Sequence, residues 1–189
     1  MRFSSIIAPV SLAALASAAP ALNARGYGDS DSCIPYSIAI DIETQWISTL
    51  TNFDVNVATN LLAPELVDTS DSINYIAGIP LGGPTFPSAQ AYIAGQGAQP
   101  AIGFTLLGTD VVTCDGYIVL RWIGAVGQQT YPSQGITILK AVQKGSDATV
   151  GPTGWQLAEI HTEFNSAAWV ADIGGTCPPP SGTARLARN

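Results

Sequence analysis

The hydrophobic period of this chain changes at Pro100, and that change limits the folds open to it more than any other feature. Before Pro100, Ile38, Ile42, Trp46, Thr49, Leu50 and Phe53 recur at steps of three and four, which predicts one inward face of a helix over residues 37–51. Ser37 can cap that helix, with Asp41 and Glu43 close to its positive end. Asp54 reads as the cap of a second, shorter helix through Val57, Leu61 and Leu62, which Pro64 stops. Residues 66–77 are rich in Val, Thr, Ile and Tyr and predict a strand; residues 78–87 hold three Gly and three Pro and predict a loop. Ser88 then caps a helix running to about Gln99, with Tyr92 and Ile93 inward. After Pro100 the alternation is that of strands, over 101–113, 117–127, 134–142 and 155–165. Asp115-Gly116 is a hairpin turn between the first two, and 145–154 is a polar turn region. Helix, helix, strand, helix and four meandering strands make an α+β fold, with helices segregated from an antiparallel sheet.

The N-terminal residues predict a compartment. Arg2 precedes an apolar run over 6–16 that Pro9 and Ser11 interrupt, and Ala16-Ser17-Ala18 is a small-x-small cleavage site. Residues 1–18 therefore read as a secretory signal peptide, too short for a membrane span. The expectation is an extracellular protein of 171 residues starting at Ala19, enough for one domain with a real core. Residues 19–32 are expected to be a flexible lead-in, 33–177 the domain, and 178–189, opening with three prolines, a flexible tail. Without Arg2 the chain sets six basic against fourteen acidic side chains, a net charge of −8. That balance repels phosphate backbones and anionic lipid, so neither nucleic acid nor a membrane is an expected partner.

Cys33, Cys114 and Cys177 leave one pair and a remainder. Cys33–Cys177 would tie the two ends of the domain together and is the preferred pairing, with Cys33–Cys114 the alternative. The wide spacing lacks any Cys-x-x-Cys, and Glu159, His161 and Glu163 are a thin ligand set, so no metal site is expected. The glycines of 78–97 lack the Lys-Ser/Thr ending of a phosphate loop, and no cofactor is expected.

The element order, together with the segments Leu66-Val67-Asp68-Thr69-Ser70-Asp71-Ser72-Ile73-Asn74, Pro80-Leu81-Gly82-Gly83-Pro84-Thr85-Phe86, Leu120-Arg121-Trp122, Gly135-Ile136-Thr137-Ile138-Leu139-Lys140 and Thr162-Glu163-Phe164-Asn165-Ser166-Ala167-Ala168-Trp169, resembles the NTF2-like (SnoaL-like) superfamily. Within it, the chain is most similar to the secreted NTF2-like domain proteins of filamentous fungi. The resemblance spans about 33–177 and implies a cone of curved sheet wrapped around a long first helix. It implies a pocket between the concave sheet face and the helices, but no single reaction, because the superfamily holds isomerases, dehydratases, polyketide cyclases and non-enzymatic binders.

Several residues could serve such a pocket. Asp68 and Asp71 could act as a base if buried, or could simply cap nearby backbone. Tyr75 could donate to a carbonyl, or pack as an ordinary strand residue. His161, the lone histidine, could do acid–base work, but it shares strand parity with Glu159 and Glu163, which looks like a solvated face, while Ile160 and Phe164 point inward. Arg121 faces away from Trp122 and could pair with Glu163 across the sheet. Trp46, Tyr92 and Trp122 are the aromatic candidates for contact with a ligand, against the plainer role of core anchors. Three functions follow: a binder of an apolar small molecule, a cofactor-free cyclase, isomerase or dehydratase, and an interaction protein whose exposed sheet face makes a homodimer or meets a host partner.

Overall fold

A computed structural model describes residues 33–127, 132–145 and 151–176. The proposed signal peptide, lead-in, Cys177 and tail lie outside the described residues.

Helix α1 runs over Tyr36–Thr51 and α2 over Val55–Leu61. Strand β1 (Leu62–Thr69) and two short helices, α3 (Asp71–Ala77) and α4 (Ala89–Gly97), follow. Then come β2 (Gly103–Val112), β3 (Tyr117–Ala125), β4 (Ser133–Gln143), β5 (Trp155–Phe164) and a last helix, α5 (Ser166–Asp172). The sheet has five strands in the order β1-β5-β4-β3-β2. β2 to β5 form the expected antiparallel meander, but β1 lies parallel to β5, so the sheet is mixed. Pro64 does not stop α2; it sits in β1, an edge strand, where a missing N–H is tolerated.

The local cap signals at Asp54 and Ser88 hold. The Asp54 side chain accepts from the N–H groups of Asn56 and Val57, and Ser88 Oγ accepts from Ala91 N. At α1, however, Pro35 takes the capping position without a side-chain bond, and Ser37 is inside the helix. Glu43 does not lie at the helix start. It is buried against β2, where its carboxylate accepts from Thr109 Oγ at 2.7 Å, and burial pushes its pKa up.

The strand expected over 66–77 is a strand only to Thr69. Ser70 then caps α3 by accepting from Ile73 N at 3.0 Å. Glu163, from β5, accepts from the N–H of Asp71 at 2.7 Å, and from both the N–H and the hydroxyl of Ser72. A carboxylate on these free donors favours the helical turn over the β-propensity of the segment. That use of Glu163 also answers the expected pair with Arg121. Ile136 of β4 stands between them in register, which puts them two strand spacings apart, roughly 9–10 Å. Arg121 instead makes a two-pronged pair with Asp110 of β2, at 2.5 and 2.8 Å.

Cys33 is bonded to Cys114, not Cys177. The chain entering α1 passes over the β2–β3 turn, where Ile34 N donates to Cys114 O at 3.1 Å, so the start of the long helix is fastened to the hairpin beneath it. A core of Ile42, Trp46, Leu61, Leu66, Leu120, Leu139 and Ile160 fills the space between α1 and the sheet.

Candidate functional site

A cavity of about 570 Å³ opens between the concave sheet face and helices α1, α3, α4 and α5. Its size is that of a small-molecule site. Trp46, Thr49, Asp68, Tyr92, Trp122, Ile160, Thr162, Phe164 and Trp169 are among its walls, and Asn52, Gln99 and Pro100 lie at its exposed margin. The wall is aromatic because three strands and two helices contribute rings in series. Trp46 meets Phe104 edge-on at 5.9 Å, Phe104 stacks on Trp122 at 5.3 Å, Trp122 reaches Phe164 at 5.9 Å, and Phe164 reaches Trp169 at 4.9 Å. Gly135 makes room for this row, since a Cβ there would fall 2.2 Å from the Trp122 ring.

A bulge sets which β5 residues face inward. Lys140 opposes Glu159 but Ala141 opposes Leu157, which leaves Ala158 unpaired and shifts the parity. Leu157 is thereby buried along with Ile160, while Ile160, Thr162 and Phe164 line the cavity. His161 and Glu163 turn outward, as their company with Glu159 suggested.

Asp68 is held more firmly than its place on an edge strand would suggest. On one side it is in register with Ile160 of β5. On the other the 78–87 loop folds back to it: Asp68 N donates to Phe86 O at 2.9 Å, and Asp68 O accepts from Thr85 N at 2.8 Å and Phe86 N at 3.2 Å. The loop is itself pinned by buried Asn74, whose amide donates to Gly83 O at 3.0 Å and accepts from Thr85 Oγ at 2.8 Å. With its N–H and C=O both bonded to the loop and β5 alongside on the other edge, Asp68 contributes its side chain to the cavity wall. There it is 3% exposed, and its Oδ1 has no hydrogen-bond partner. Desolvation raises its pKa from 3.8 to about 7. No Lys, Arg or His lines the cavity to offset that charge.

Tyr92 is buried nearby. Thr49 Oγ donates to Trp46 O at 2.7 Å, so at the 2.8 Å contact with Tyr92 the phenol is the donor and Thr49 the acceptor. Burial raises the Tyr92 pKa, the Thr49 bond opposes that, and the Asp68 charge adds to the rise, which keeps the phenol neutral. The Trp46 indole N–H also favours the ionised form of Tyr92, but it has no bond of ordinary geometry and is buried without a partner. Trp122, by contrast, donates to Thr137 Oγ at 3.0 Å.

Of the residues singled out in the sequence, Asp68, Trp46, Tyr92 and Trp122 meet at this cavity. Asp71, Tyr75 and His161 do not. Asp71 is exposed and accepts from Gly82 N at 2.7 Å in the loop. Tyr75 is 61% exposed, because α3 turns it to solvent. His161 bonds outward to Thr69 Oγ at 2.5 Å and Glu159 at 3.1 Å. Helix α5, with Trp169, was not anticipated; its signal was Asn165, whose side chain accepts from Ala168 N at 3.1 Å. Among the described residues no group of three metal-ligating side chains occurs, and no helix is long and apolar enough to cross a membrane.

The model of the NTF2-like domain family matches residues 32–176, the whole of this cone. The chain belongs to the NTF2-like domain family. Solved structures agree on the fold. IdmH from Streptomyces antibioticus, a candidate polyketide cyclase, is 15% identical with a TM-score of 0.53, over 72% of this chain and 98% of its own. A candidate SnoaL-like polyketide cyclase from Jannaschia sp. CCS1 is 12% identical with a TM-score of 0.53, over 82% and 100%. The CaMKII hub of S. rosetta is 12% identical with a TM-score of 0.52, over 70% and 98%. No curated protein matches the sequence. At these identities the likeness is one of fold, and this NTF2-like domain takes its chemistry from its own cavity.

Proposed function

We propose that this NTF2-like protein is an exported, small-molecule pocket protein and that Asp68 is its proton-transfer group. The observation that carries the reading is the Asp68 carboxyl, unpartnered at the wall of an aromatic cavity and poised to titrate at about pH 7. A carboxyl with that pKa takes or gives a proton near neutrality without metal or coenzyme. The reactions open to it are proton abstraction beside a carbonyl, as in an isomerase or cyclase, and protonation of a leaving hydroxyl, as in a dehydratase. The description of two fold relatives as candidate polyketide cyclases supports this class. Export is supported by residues 1–18 and by the Cys33–Cys114 bond, and a fungal origin by the resemblance of the segments named above alone.

In D₂O with a panel of apolar cyclic ketones, the wild-type protein should catalyse exchange of the protons beside the carbonyl, with a rate that rises through pH about 7. Asp68→Asn should cut that rate by roughly 10²–10⁴-fold, while His161→Ala, on the outer face, should leave it unchanged. Equal exchange in wild type and Asp68→Asn would remove Asp68 from the chemistry.

A homodimer is a second feature of the proposal, because the outer sheet face carries Val111, Ile136 and Ile138 at 45%, 51% and 36% exposure. Light scattering at micromolar concentration should give twice the chain mass, and Ile136→Glu should return it to the monomer. A monomer at all concentrations would sink the dimer.

A further inference from the structure

Resting on the Asp68 reading above, we infer that Asn74 is a positioning residue for that carboxyl: from outside the cavity it holds the 78–87 loop along the open edge of β1, and the loop keeps water from Asp68. β1 is an edge strand, with β5 on one side only. Backbone groups on the free side of an edge strand ordinarily face water. At Asp68 that side is closed by an antiparallel bridge to Phe86. The loop that makes the bridge has no helix or strand of its own, so its path depends on what ties it down. Asn74 is the main tie. It is fully buried and is not among the cavity residues. Its C=O accepts from Ile79 N at 3.0 Å. Its side-chain amide donates to Gly83 O at 3.0 Å and Pro80 O at 3.4 Å, and its side-chain carbonyl accepts from Thr85 Oγ at 2.8 Å. One residue thus fastens the start, middle and end of the loop, and Thr85 is next to the Phe86 bridge. α3 carries Asn74, and Glu163 seats α3 by taking the N–H groups of Asp71 and Ser72.

The consequence falls on the Asp68 carboxyl, because burial is the cause of its raised pKa. The residues that line the cavity from the sheet and from α1, α3, α4 and α5 include one other titratable group, the phenol of Tyr92, which burial keeps neutral. The charges nearest the loop lie outside the cavity: Asp71 accepts from Gly82 N at 2.7 Å, and Glu163 is held on the start of α3. Access of water is therefore the quantity that sets the proton affinity of Asp68. The loop also places the Phe86 ring in the wall, edge-on to Tyr92 at 5.5 Å. Gly95 of α4 leaves room for that ring, since a Cβ there would fall 2.3 Å from it. Loss of the Asn74 bonds releases both the bridge at Asp68 and the Phe86 ring, and water reaches the carboxyl.

The test is the titration of Asp68 in the disulfide-intact protein, read by NMR from isotope-labelled aspartate carboxyls, with the Asp68 signal identified by its loss in Asp68→Asn. The wild-type midpoint is expected at about pH 7. Asn74→Ala should lower it by at least about one pH unit, towards that of a hydrated aspartate. Thr85→Val keeps the shape of the side chain and removes one bond between the loop and Asn74. It should lower the midpoint by a smaller amount, and it serves if Asn74→Ala does not fold. Ile118→Ala is a core deletion three strand spacings from Asp68 in register, roughly 14 Å away. It should weaken the fold and leave the midpoint in place. The pH at which ketone proton exchange is half-maximal should move with the midpoint in each variant. An unmoved midpoint in both loop variants, or an equal fall in Ile118→Ala, overturns the role of Asn74 and leaves the proton-transfer reading standing. A midpoint that falls as expected in a protein without exchange activity upholds Asn74 and overturns only that reading. A wild-type midpoint at about pH 4, the ordinary aspartate value, overturns both.

Discussion

Asp68→Asn should make the protein more stable at pH 8, by as much as about 4 kcal/mol, even as it removes the proton-transfer group. The carboxyl of Asp68 is raised from 3.8 in the unfolded chain to about 7 in the fold, because burial penalises its charged form. Between those two values the folded chain keeps a proton that the unfolded chain has released. Each pH unit in that window therefore costs the fold about 1.4 kcal/mol. The Asp68 contribution is full below about pH 4, falls as pH rises towards 7, and levels off above it, where both states are ionised. Glu43, also raised by burial, adds to the same fall. Glu65, Asp110 and Asp115 are lowered by Lys144, Arg121 and Thr113 respectively, so their contributions change in the more acidic range, where falling pH weakens the fold. Urea unfolding of wild type and Asp68→Asn at pH 5, 6, 7 and 8 reads the effect directly. The wild-type midpoint should drop across the series, and the variant's should drop far less. Parallel curves for the two proteins would show that Asp68 is not the group that titrates. A stabilising substitution at a buried charge is the expected signature of a residue kept for function at the expense of the fold.

Loss of the Cys33–Cys114 bond should cost about 4–5 kcal/mol, the loop-closure value for a loop of 81 residues. The bond holds the start of α1, the helix on which the cone is built, to the β2–β3 turn, and it denies the unfolded chain a large share of its freedom. The denaturation midpoint should fall sharply with added thiol and by the same amount in the Cys33→Ser/Cys114→Ser protein. Peptide mapping without reduction should recover Cys33 and Cys114 in one linked species. A Cys33–Cys177 species, or a midpoint indifferent to thiol, would overturn this pairing.

Much of the secondary structure was legible because its signals are local. The four strands after Pro100 alternate with period two, and each lies within two residues of its expected bounds. Asp54 and Ser88 cap helices through their own neighbours. The errors fall where a distant residue decides. Residues 71–77 have the composition of a strand, yet Glu163, some 92 positions away, accepts from their first donors and the helix prevails. Glu43 has the look of an exposed charge near a helix start, until Thr109, 66 positions on, receives it in the interior. The inward parity of β5 depends on one bulged residue that no alternation of hydrophobicity announces.

The site divides in the same way. Trp46, Asp68, Tyr92 and Trp122 were visible as residues of the right chemistry, and so were Asp71, Tyr75 and His161. Nothing in their types separates the first group from the second. The separation is made by solvent: the 78–87 loop and β5 close over the Asp68 backbone and leave its carboxyl dry, while Asp71, Tyr75 and His161 stay in reach of water. By itself, then, the sequence determined the helix-then-sheet order and the NTF2-like cone that follows from it, because periodicity and caps act over a few residues. Only the tertiary structure decided which carboxyl loses its water, which cysteine meets Cys33, and which aromatic rings line the cavity, because desolvation and contact belong to residues brought together from distant parts of the chain.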